Sequence, residues 1–406
     1  MRRPPLIPSL GLAALVSLVI LVAGCHRRPA PQPVSKPAPP PAPQPSARPY
    51  VTHATCPLPV AVVAAQRNCD DEKANDALID ASLDAFDRTY DAGHYAVALA
   101  CAEEAARDDP GEAAAHIDRA QALDALGHPA QARDAYDRAL ALDPDDPDAL
   151  EANADFLWRR GTDDALEAAA LEASRGAKDA TDPTQVAELL VLEAKALNDL
   201  GQPDGALKAS GSALAAEHDD ADATIERAVA LFELDRFDDA RPALAQARRA
   251  APKSAKAAYY AALFAEREGH ESTAAGLFRL AAKIDPGDYP LALDVSRQAF
   301  GALVAEEIRR LPKAKQQALA STDFSWTEIP STAVLLSGDP VLSPEIVGVY
   351  RPGAPGHPDA IMLYRKNLLR LCGSVAELHR QVHLTLLHEL GHLAGLDDAE
   401  LRDRGL

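Results

Sequence analysis

Gly127-His128-Pro129-Ala130-Gln131-Ala132-Arg133-Asp134-Ala135-Tyr136-Asp137-Arg138-Ala139-Leu140-Ala141-Leu142-Asp143-Pro144 decides the fold of most of this chain. An Ala-rich run lies between a Gly and a Pro, the two residues that punctuate local structure most strongly. Its marks recur at a fixed distance. Gly127, Ala132, Ala139 and Pro144 repeat Gly93, Ala98, Ala105 and Pro110, each 34 residues earlier. The same phase returns at Gly201, Ala206 and Ala213, at Asp235, Ala240, Ala247 and Pro252, and at Gly269, Ala274, Ala281 and Pro286. Aromatic marks accompany it at Tyr95 and Phe237 and at Tyr136 and Phe278. One unit, around Gly161, breaks the phase, because 40 residues separate Gly161 from Gly201. A period of this size means a stacked array of small repeated units.

This pattern resembles the tetratricopeptide repeat family, although the Trp of that family's first helix is absent. The resemblance implies two antiparallel helices per unit, with Gly at the turn, small Ala where helices approach closely, and Pro ending the second helix. Six units are countable from about Ile79 to Asp288. Stacked units of this kind form a superhelix whose inner groove commonly holds an extended peptide or another protein, so a protein or peptide partner is expected there. A basic partner would suit the charge of the region: residues 70–288 hold 22 basic and 47 acidic side chains.

Working outward, 406 residues with 47% hydrophobic and 25% charged content can bury a sizeable core, which excludes collagen-like, wholly disordered and coiled-coil chains. The formal net charge of −20 makes the chain a poor nucleic-acid binder, since duplex binding depends on basic groups displacing counterions. The start is different in kind. Residues 1–69 contain seven Lys and Arg and no Asp or Glu. Arg2 and Arg3 precede an apolar stretch from Leu6 to Ala23, the layout of a secretory signal, and the stretch ends in Val22-Ala23-Gly24-Cys25. That run resembles the lipobox of bacterial lipoproteins. The resemblance implies removal of residues 1–24, lipidation of Cys25 and, with His26 next, a membrane-tethered protein on the periplasmic face of the outer membrane. Ten of the 21 residues from Pro29 to Pro49 are Pro. Such a run is extended and cannot pack a core, so residues 25–50 read as a tether of roughly 60 Å. In an exported protein the short spacing of Cys56 and Cys69, within segment 51–78, favours a disulfide between them, among three pairings open to four cysteines. Cys101 reads as a small core residue, and Cys372 is left open.

After Pro286 the repeat phase ends, and residues 289–406 read as a separate α+β domain. A helix is expected from Leu291 to Leu311, then β-like runs at Thr332 to Leu336, Ile346 to Arg351 and Ala360 to Tyr364, then a helix from Val375 to Ala394. The fold class is therefore mainly α, a helical repeat array followed by a small α+β domain. The last helix contains His388-Glu389-Leu390-Gly391-His392, followed by Gly395 and by Asp397-Asp398. Residues four apart stand one turn above each other, so His388 and His392 converge on one cation while Glu389 borders the same face. Two imidazoles and a carboxylate suit Zn2+ with a fourth position left to water, and Glu389 is then the general base, not a ligand.

The third ligand is expected among Asp397, Asp398, Glu400 and Asp403. The spacing HExxHxxGxxD resembles that of snapalysin and of small bacterial zincin-like domains described as possible zinc metallopeptidases, and it selects Asp398, with Asp397 the runner-up. Only 14 residues follow His392 and the only methionines are Met1 and Met362, so neither a gluzincin Glu on a later helix nor a metzincin Met-turn is expected. A second pair, His379 and His383, lies on the opposite, apolar face and reads as structural. Tyr350, Arg351 and Tyr364 are candidates for stabilising an oxyanion by chemistry alone. Two functions follow: a zinc peptidase whose repeat recruits substrate or partner, or a repeat scaffold whose zincin-like domain is inactive or only binds metal.

Overall fold

A computed structural model of the chain describes residues 81–83, 85–87, 90, 93–338 and 341–406. The expected signal peptide, Cys25, the Pro-rich tether and the Cys56–Cys69 bridge lie outside the described residues. The chain divides into two compact units, the first ending at Ala230 and taking in residues 249–251, the second comprising residues 231–248 and 252–406.

In the first unit helices alternate with short turns: α1 (Tyr95–Asp108), α2 (Ala113–Ala125), α3 (Pro129–Leu142), α4 (Pro147–Trp158), α5 (Asp163–Asp179), α6 (Pro183–Asp199) and α7 (Pro203–Ala216). Pro occupies the first helical position of α3, α4, α6 and α7, where its missing N–H breaks no helical bond. Ala98, Ala102, Ala120, Ala132, Ala135 and Ala139 are fully buried, because only a methyl-sized side chain fits where neighbouring helices touch. The break in the 34-residue phase has a simple cause. Helices α5 and α6 have 17 residues each, against 12 to 14 in α1 to α4 and α7. The extra turn is packed where Gly176 of α5 meets Leu189 of α6; a Cβ at Gly176 would stand 2.9 Å from Leu189 Cδ2.

Helix α8 (Ala221–Glu233) contains the point of division, and α9 (Phe237–Ala250), α10 (Ala255–Arg267) and α11 (Glu271–Ile284) complete the repeat pattern. The turn between the two helices of a unit takes a left-handed residue, Gly at positions 93, 127, 161, 201 and 269, but Asp235 with φ 56° in the remaining unit. Asp, with its short polar side chain, tolerates that region better than most.

The second unit continues with α12 (Arg297–Arg310), α13 (Lys313–Ala320), β1 (Asp323–Thr327), α14 (Thr332–Leu335), β2 (Gly348–Arg351), β3 (Ala360–Tyr364), α15 (Arg365–Leu371), α16 (Val375–Leu393) and α17 (Asp398–Asp403). The sheet order is β1-β3-β2, with β1 parallel and β2 antiparallel to β3. Alternation on β3 divides the core. Ile361 and Leu363 pack with Leu378, Val382, Leu386 and Leu390 of α16, and Tyr364 packs with Val334, Leu335, Leu342, Ile346 and Val349 on the other face.

The structure departs from the sequence expectations in several places. Thr332–Leu335 is a helical turn, not a strand, because the Ser331 hydroxyl accepts from the Val334 N–H at its start. The strand Asp323–Thr327 was not expected, since five half-exposed residues leave a weak alternation. The helix expected from Leu291 begins at Arg297, where Ser296 caps it by accepting from Ala299 N at 3.2 Å. Cys101 is fully buried, as a core residue would be, but it is disulfide-bonded, and its partner lies outside the described residues; Cys372 is buried.

Candidate metal and catalytic site

Helix α16 carries the histidine pair on successive turns. His388 Nε2 and His392 Nε2 stand 2.9 Å apart, and Asp398 Oδ1 lies 3.4 Å from each. All three donor atoms gather within 4.8 Å of one another. His392 Nδ1 is 3.0 Å from the carbonyl oxygen of Leu396, an acceptor that places the proton on Nδ1 and turns Nε2, with its lone pair, inward. Asp398 Oδ1 is shielded from solvent and makes no hydrogen bond among the described residues. Two ring nitrogens and an orphaned carboxylate oxygen, facing each other in a largely buried site, are a donor set suited to Zn2+.

Two glycines bring Asp398 there. Gly395, φ 84°, ends α16 in a left-handed turn, with Gly395 N bonded to His392 O and Leu396 N to Gly391 O. Gly391 lets α17 come close: a Cβ on it would stand 2.3 Å from Leu401 Cδ2, and Leu401 is fully buried against it. The rival carboxylates are engaged elsewhere. Asp397 caps α17 by accepting from Glu400 N at 2.8 Å, and Glu400 Oε2 accepts from Asp397 N at 3.0 Å. That reciprocal capping box is legible in Asp397-Asp398-Ala399-Glu400, a signal that sequence reasoning passed over. Asp403 is exposed.

Glu389 is buried on α16 beside the triad. Burial pushes its carboxyl up to about 8 and the Asp398 charge adds to this, while the backbone N–H of Tyr350 works against it. Burial and the neighbouring His392 lower the His388 pKa, which favours the neutral imidazole that ligates metal. Strand β2 borders Glu389 through Gly348, where a Cβ would stand 2.6 Å from Thr385 Cγ2 and 2.9 Å from Glu389 Oε1. The register sets which backbone groups face the site. Tyr364 N donates to Val347 O, so residues 347, 349 and 351 bond to β3 and the backbone groups of Gly348 and Tyr350 lie on the outer edge, with the Tyr350 N–H turned to Glu389.

Of the oxyanion candidates, Tyr364 is fully buried with its hydroxyl unbonded among the described residues, Tyr350 directs its hydroxyl to Asp359, and Arg351 is exposed. His379 and His383 do not join the triad. Both reach the buried Glu307 of α12, at 2.6 and 3.2 Å, and Arg310 binds the same carboxylate, a tie between two core helices.

Residues 322–406 match the family described as a zincin-like metallopeptidase, and segments 83–147, 117–183, 191–241 and 227–289 each match the tetratricopeptide repeat. No curated protein matches the chain. Among solved structures, that of Pseudomonas aeruginosa pilF shares 20% identity over 56% of this chain and 98% of that one, with a TM-score of 0.46. PilW, described as a widely conserved type IV pilus biogenesis factor, shares 18% over 55% and 98%, with a TM-score of 0.44. YrrB, described as a repeat protein with an unusual peptide-binding site, shares 20% over 46% and 92%, with a TM-score of 0.36.

Proposed function

We propose that this chain, which joins tetratricopeptide repeats to a zincin-like domain, is a membrane-tethered, zinc-dependent peptidase whose repeats recruit a protein or peptide. The observation that carries the reading is the convergence of His388, His392 and Asp398 within 4.8 Å, beside a buried Glu389. These three residues would hold Zn2+. When bound, the ion supplies Lewis acidity, which polarises a carbonyl and acidifies a water.

The rest is done by the chain. The outer edge of β2 pairs with an extended peptide through the backbone groups of Gly348 and the carbonyl of Tyr350, whose N–H is turned to Glu389, and lays the scissile bond over the site. Glu389 takes the proton of the attacking water and returns it to the leaving amine. With a cation held by the three residues, Glu389 would be kept as the carboxylate, the base.

Zinc content and a peptide-library digest of purified protein, wild type against Glu389→Gln, test this. The variant keeps zinc and loses roughly 10²–10⁴-fold in hydrolysis, the usual contribution of a general base. Hydrolysis by Glu389→Gln at the wild-type rate would overturn the mechanism. A zinc-replete wild type that cleaves nothing would favour the scaffold reading. Tethering is tested separately by fatty-acid labelling, which should mark the wild type and not Cys25→Ser.

A further inference from the structure

The connection from α14 to β2 is tied down by the repeat helices of the same unit. Ser343 Oγ donates to Glu233 Oε2 at the end of α8, 2.7 Å, and Tyr259 Oη of α10 donates to Glu345 Oε1, 2.8 Å. Asn367 Nδ2 donates to the carbonyls of Pro344 and Ile346 on either side of Glu345, at 3.0 and 2.6 Å, and Arg370 holds Asn367 Oδ1 while reaching Glu266 of α10 at 2.8 Å. Three residues beyond Glu345 the chain is Gly348, whose backbone lies against the Glu389 carboxylate. No slack intervenes. Ile346 and Val347 are both buried, and Val347 O already accepts from Tyr364.

We propose that Tyr259 and Glu233, side chains of the repeat helices, are positioning residues for the Glu389 site: by fixing Ser343 and Glu345 they fix the edge strand β2 on which an extended substrate lies. The reaction part of this rests on the peptidase reading; the placement of β2 does not. The surroundings support a built contact. Tyr259 and Tyr260 are buried edge-to-face at 5.7 Å, with Phe278 and Tyr289 packed on Tyr259 at 5.6 and 5.1 Å, so the hydroxyl at Glu345 is held on a rigid aromatic platform. Burial and Glu345 push the Glu233 carboxyl up to about 8, so it keeps its proton at neutral pH and the two acids do not repel. The expected boundary at residue 288 is thus crossed by contacts that lead to the active-site strand.

Hydrogen exchange and kinetics on the full chain test this, using Tyr259→Phe and, as a second variant, Ser343→Ala. Removing one of these buried hydrogen bonds should raise local opening roughly 2–10-fold. The amides of Val349 and Arg351 should therefore exchange about that much faster while those of α16 are unchanged. KM for a peptide substrate should rise about 5–10-fold with kcat within two-fold of wild type, zinc content should stay the same, and Glu345→Gln, which retains an acceptor for Tyr259, should behave as wild type. Unchanged exchange in β2 for both variants would overturn the proposal, as would faster exchange spread evenly over the whole unit. If wild type hydrolyses nothing, the peptidase reading fails, and the exchange of β2 still decides whether the repeat helices place that strand.

Discussion

Gly391→Ala places one methyl where the proposed metal site depends on having none. An ideal Cβ there would stand 2.3 Å from Leu401 Cδ2 and 3.4 Å from its Cδ1 and Cγ. Carbon contacts settle at about 3.5–4.0 Å, so α16 and α17 must separate by more than about 1 Å or Leu401 must leave its place. Leu401 is fully buried, and moving it into water forfeits about 1.5–3 kcal/mol. Overpacking of this kind costs about 1–3 kcal/mol, while Ala gains about 1 kcal/mol over Gly inside a helix. The net loss of stability is then only about 0–2 kcal/mol, a shift of a few degrees in Tm. The larger effect falls on Asp398, carried by the same helix as Leu401. Displacing the element that orients a ligand costs roughly 10–100-fold in metal affinity. Competition for zinc against a chromophoric chelator measures it, with thermal unfolding of the metal-free protein as the control. Adding Leu401→Ala removes the clashing atoms and should restore part of the affinity, at about 2–5 kcal/mol in packing. Zinc affinity of Gly391→Ala equal to wild type would refute the argument that Gly391 exists to admit α17.

Two further outcomes are expected. Asp398→Asn should lose most of its zinc while Asp397→Asn keeps it, because Asp397 is committed to the cap of α17 and Asn caps nearly as well; the reverse order in a zinc titration would reassign the third ligand. Nonreducing peptide mapping should find Cys101 in a crosslinked peptide and Cys372 alkylated only after unfolding; recovery of Cys101 as a free thiol would contradict the structure, and a link from Cys101 to Cys56 or Cys69 would exclude the expected Cys56–Cys69 bridge.

The histidine pair and its acid needed only the sequence. His388, Glu389 and His392 lie on successive turns of one helix, so their juxtaposition follows from local geometry, independent of what packs around them. The repeats were legible for the same reason, since each unit is a local pair of helices and the marks of turn and contact recur along the chain. Even the broken phase at Gly161 was visible, although its cause, two helices of 17 residues, was not. The strands were harder. Asp323–Thr327 earns its state from pairing with Ala360–Tyr364, and Thr332–Leu335 has β-branched residues that a serine cap nonetheless turns into helix.

By itself, then, the sequence determined a mainly helical repeat array, the α+β segment after it, and a metal-competent helix near its end. It ranked the carboxylates without showing why Asp398 is free and Asp397 is not; that was decided by the capping box and by α17 seated on Gly391. Only tertiary structure put Gly348 against Glu389, sent His379 and His383 to Glu307, and joined Tyr259 to Glu345 across 86 residues of chain. The physical reason is common to all of these. Periodicity and spacing encode contacts made within a turn or two of backbone, whereas the approach of distant segments depends on which small residues leave room and which polar groups are already satisfied.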